Sequence, residues 1–60
     1  MPTDETRRVL KVFGVAVTSL EDALDRNAPL DEIMKWDQEV AERMRELIAL
    51  VERLRSRRIR

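Results

Sequence analysis

Sixty residues allow one small domain at most, and a core that short rarely supplies more than ~3–5 kcal/mol without a staple. The chain has no Cys and no His, which excludes disulfides, thiolate zinc sites and the commonest general base, so oligomerisation is the staple left over. Twelve basic and twelve acidic residues cancel, so the whole chain carries no polyanion signal, while a charged fraction of 40% suits long helices with solvated faces.

The first predicted element is a helix over about 4–26. Thr3 or Asp4 is a suitable N-cap. Val9, Phe13, Ala16, Leu20 and Ala23 share one face, with Leu10, Val17 and Leu24 beside them. Val9 to Thr18 is the contested stretch. It is rich in β-branched residues around Gly14, and both features disfavour helix. A strand there would give a ribbon–helix–helix repressor, whose strands enter the major groove. The three-and-four recurrence of the apolar residues favours the helix. Gly14 and Ala16 would then allow close backbone approach near its middle.

Asn27-Ala28-Pro29 is the strongest punctuation in the chain. Asn tolerates the left-handed conformation that ends helices, and Pro is favoured where a helix begins. A turn at 27–29 forces its two helices to lie antiparallel. The stretch Ala28-Pro29-Leu30-Asp31-Glu32 resembles the turn in the small subunit of exonuclease VII, also a helical hairpin, over five residues of a common turn-and-cap pattern. The layout is similar to small plasmid-encoded RNA-binding hairpins that dimerise into four-helix bundles, in architecture and without a shared motif. Neither resemblance implies a function here.

The second predicted helix covers about 30–57. Ile33, Val40, Met44, Leu47, Val51 and Leu54 follow a heptad seam that only Asp37 breaks. Met34, Ala41 and Ile48 run beside it, and Trp36 and Leu50 widen the stripe on its other flank. Asp4–Arg8, Asp22–Arg26, Asp31–Lys35 and Glu39–Arg43 are acid-first pairs four apart, the favourable order on a helix.

These elements predict an all-α chain: one antiparallel two-helix hairpin over residues 1–60, dimerising into a four-helix bundle. A lone hairpin buries only a narrow seam on each helix, yet both stripes here are wider. With Ile33, Val40, Leu47 and Leu54 facing the first helix, Met34, Ala41, Ile48 and Leu50 are left outward. Such a strip marks an interaction site. Phe13, Val17, Met34, Trp36, Ala41, Met44, Ile48 and Val51 are the expected contacts with a second copy, or with a larger protein.

The expected function is a non-enzymatic interaction module acting as adaptor, regulator or assembly factor. No catalytic residue, metal or cofactor is expected, because the plentiful carboxylates sit opposite the apolar stripe and no His joins them. Asp37, at a seam position, either fixes register as a buried polar residue, pairs with a partner's Arg, or reaches water near the hairpin's end. Val51 to Arg60 holds five positive charges and one negative. Arg53, Arg55, Arg57, Arg58 and Arg60 are therefore candidate nucleic-acid contacts in the alternative reading, a small nucleic-acid-binding regulator. No run of apolar residues is long enough for a membrane span. Met-Pro-Thr-Asp-Glu lacks the pattern of a signal peptide, so the expected compartment is the cytoplasm.

Overall fold

The computed structural model describes residues 3–59, with side chains through residue 57. It consists of two helices, α1 (Asp4–Asp25) and α2 (Leu30–Ile59), folded back on each other as an all-α hairpin. No described helix is long and apolar enough to cross a membrane.

Local chemistry sets each boundary. Thr3 is extended, and its hydroxyl oxygen accepts the Thr6 N–H at 3.1 Å, which satisfies one of the free donors at the start of α1. Asp4 and Glu5 add negative charge to that first turn, where the helix dipole favours it. At the other end Asn27 takes φ 57, the left-handed conformation. The Ala28 N–H then reaches the Ala23 carbonyl at 2.9 Å, and the Asn27 N–H reaches the Leu24 carbonyl at 3.1 Å. This pair of bonds is the Schellman closure, which satisfies carbonyls the helix would otherwise leave open. Pro29 stands just before α2, and its carbonyl accepts from Glu32 and Ile33. The Pro lacks an N–H, and none is needed there.

Val9 to Thr18 is helical throughout, so the strand and the ribbon–helix–helix alternative are excluded. Periodicity outweighs β-propensity because the stretch packs one face on α2 and spends no strand pairing. Gly14 takes no part in that packing: a Cβ added there would meet nothing within 4 Å. The expected close approach therefore belongs to Ala16 alone, which is buried. Gly14→Ala is expected to stabilise the hairpin by about 0.5–1 kcal/mol, because helical glycine costs that much relative to alanine. A thermal melt should rise by roughly 3–6 °C for a chain this small. An unchanged or lower midpoint would show that Gly14 has a contact of its own.

The core is thin. Val9, Ala16 and Ala23, each seven apart, are the buried row of α1, and small side chains there let α2 come close. On α2, Leu50 is the buried residue, at 3% exposure. The half-buried residues around it, Ile33, Trp36, Val40, Arg43 and Leu47, recur at three and four. Ile33, Val40 and Leu47 keep their expected seam places, while the alternate positions move back by one residue, from Asp37, Met44 and Val51 to Trp36, Arg43 and Leu50. Met44 is largely exposed and Leu54 lies near the exposed end, while Leu50, expected to face outward, is the innermost residue.

Arg43 occupies one of these half-buried positions. Its aliphatic stem covers the seam while its head is drawn outward. Its Nε donates to Glu39 at 2.9 Å, and its Nη1 donates to Glu46 at 2.8 Å. Hydrogen bonds to Glu39 and then Glu46 hold the guanidinium above its ordinary pKa. A charged residue does not register as a seam position by type, so the apolar periodicity of the sequence runs through Met44 instead.

Two ion pairs between the helices mark the register. Arg26 donates to Glu32 at 2.6 Å across the turn, and Arg53 donates to Glu5 at 2.6 Å near the open end. Residue 5 lies opposite 53 and residue 26 opposite 32, so Val17 lies opposite Ala41. α2 has 30 residues against 22 in α1, and its last turns run past the start of α1.

Candidate interaction surface

The two sides of the hairpin differ in chemistry. Viewed along each helix, the apolar residues outside the seam are displaced from it mostly in one rotational sense, Val15 being displaced in the other. In an antiparallel pair, rows displaced in the same sense from each seam point to the same side. On α1 that row is Leu10, Val17 and Leu24. On α2 it is Met34, Ala41 and Ile48, with Leu30 and Met44 alongside. Leu10, Leu24, Leu30, Met34 and Ile48 are each more than half exposed. Phe13, Leu20 and Val51 are half-buried along the inner edges of these rows.

The opposite side is polar. Ser19, Asp22, Arg26, Glu32 and Trp36 line one shallow depression there, and Glu5, Arg8, Glu46 and Arg53 line another. Arg26 donates to Asp22 at 2.8 Å as well as to Glu32, and hydrogen bonds to Glu32 first and Asp22 second raise its pKa. Ion pairs therefore bridge this side, and among the described residues Val15 is the large apolar residue left open on it.

Of the expected contact residues, Phe13, Val17, Met34, Ala41, Met44, Ile48 and Val51 gather on the apolar side. Trp36 does not join them. It is half-buried on the polar side, with the Lys35 ammonium 4.8 Å from its ring centroid. Leu10, Leu24 and Leu30 belong to the face but were not among the expected contacts. The seven-residue spacing of Leu10 and Leu24 about Val17 is the signal that identifies them. Asp37 is exposed and sits within the apolar side, between Met34 and Ala41 in the sequence.

The Arg-rich end divides. Arg53 is committed to Glu5, while Arg55 and Arg57 are exposed beyond the start of α1. The Arg58 side chain and Arg60 lie outside the described residues. Among the described residues, no three carboxylates come together in a way that could hold a metal ion. Comparison with protein-family models, with curated proteins and with solved structures finds no match to this chain.

Proposed function

We propose that this chain is a non-enzymatic protein–protein interaction module that works as a homo-oligomeric helical bundle, in the role of adaptor, regulator or assembly factor. The observation that carries the proposal is the single apolar side, with rows from both helices exposed together while ion pairs bridge the other side. Stacking two such sides buries both and completes a four-helix core. The cytoplasmic location expected from the sequence belongs to the same proposal.

Sedimentation equilibrium or light scattering at micromolar concentration tests it. The expected mass is that of two chains or a small multiple. A folded, monodisperse monomer would overturn the proposal.

A second function is favoured by one observation, the exposure of Arg55 and Arg57 on the overhanging turns of α2. These turns would bind DNA or RNA through phosphate contacts. A mobility shift at low salt should then appear, weaken steeply as salt rises, and vanish when Arg55, Arg57, Arg58 and Arg60 become Ala. No shift at low salt eliminates this alternative.

A further inference from the structure

We infer that the second copy packs on the apolar side with its turn over the open end of the first, so that α1 lies antiparallel to the partner subunit's α1, and α2 to the partner subunit's α2. This rests on the homo-oligomer proposed above and specifies its geometry. Two features of the face support it.

The first is symmetry. Leu10, Val17 and Leu24 are evenly spaced about Val17, and Met34, Ala41 and Ile48 are evenly spaced about Ala41. The register marked by Glu5–Arg53 and Arg26–Glu32 places Val17 and Ala41 at the same height. One twofold axis, lying in the interface perpendicular to the helices and running past both residues, therefore maps each row onto its own copy in reverse order. Leu10 then covers the partner subunit's Leu24, Met34 covers the partner subunit's Ile48, and the small Ala41 meets its own copy, where close approach is needed.

The second is charge. Along the flanks of the face, the turn half carries Glu21, Asp31 and Asp37. The open half carries Arg7, Arg45 and Arg55, with Glu52 the exception. With the turn of one copy over the open end of the other, acid meets base at both ends. With the two turns together, acid lies on acid and base on base, which costs association free energy. The axis through Ala41 sets Asp37 opposite the partner subunit's Arg45, four residues to either side. Asp37 is the polar residue within the apolar side, so this arrangement gives it a counterion at the centre of the interface.

Charge reversal and sedimentation equilibrium test the geometry. Asp37→Arg and Arg45→Asp are each expected to raise the dissociation constant about tenfold or more, since each change acts twice in a symmetric dimer. The double variant should return to within a few-fold of the parent. With the turns together, Asp37 would instead face the partner subunit's Glu21. Asp37→Arg would then tighten association and the double variant would restore nothing, which overturns the inference. Because the chain has no Cys, Asp25→Cys gives a single spin-label site. Eight residues from the axis at 1.5 Å each place the two labels roughly 24 Å apart along the bundle. With the turns together the two α1 helices lie diagonally across the bundle with no axial offset, so labels roughly 14 Å apart would overturn the geometry while leaving the oligomer intact. A monomer at every concentration would overturn both.

Discussion

Leu50→Ala is expected to leave the chain largely unfolded at physiological temperature. Leu50 is 3% exposed and is the buried large side chain that α2 contributes to the seam. Truncating a buried leucine costs about 2–5 kcal/mol, through lost transfer free energy and the cavity left behind. A core of this size supplies only ~3–5 kcal/mol in total, so nothing substantial remains. Far-UV circular dichroism should show the loss directly. Leu54→Ala is the matched comparison. Leu54 is 38% exposed, and the same truncation there should lower the melting midpoint only slightly. A heptad drawn through Met44 and Val51 puts Leu54 in the seam and Leu50 outside it, and so predicts the reverse order. If Leu54→Ala proved the more damaging, the seam described above would be wrong.

Ala41→Glu is expected to separate the proposed oligomer while leaving each hairpin able to fold. Ala41 is exposed in the single chain, and glutamate is a good helix former, so nothing within the hairpin opposes the change. In a twofold pairing the two glutamates confront each other among apolar side chains. Like charges so placed cost several kcal/mol, enough to weaken self-association by about a hundredfold or more. Sedimentation equilibrium should then give the mass of one chain at concentrations where the parent is associated. An unchanged mass would mean that the apolar side is not where copies meet. The melting midpoint of the parent should rise with protein concentration, and that dependence should disappear in the variant.

The parts of this molecule legible in its sequence are those that depend on local chemistry. Asn27 and Pro29 announce the turn because one tolerates a left-handed backbone and the other lacks a donor. The helical nature of Val9 to Thr18 is legible in its three-and-four spacing, even against its β-branched content. Met34, Ala41 and Ile48 are legible as an outward row because a two-helix seam has no room for them. Three things depended on how the helices meet in space. Arg43 behaves as a seam residue through its stem, which residue type alone conceals. Trp36 suits either side of the seam by composition, and only the rotation of α2 assigns it to the polar side. Glu5 and Arg53 are 48 positions apart, so their bridge is apparent only once the register is known.

That register also has a kinetic consequence. Contacts between the helices close in order of loop length, from Arg26–Glu32, six positions apart, to Glu5–Arg53. Each further contact enlarges a loop whose ends are already held, so the hairpin zips outward from Asn27 and folding is fast. Opening runs the other way. Amide exchange in the isolated hairpin should be quickest in the last turns of α2, which have no α1 beside them, and slowest near Ala23. With a second copy seated turn-over-end, each fraying terminus lies against the slowest-opening segment of its neighbour, and the gradient of protection along α2 should flatten as the protein is concentrated.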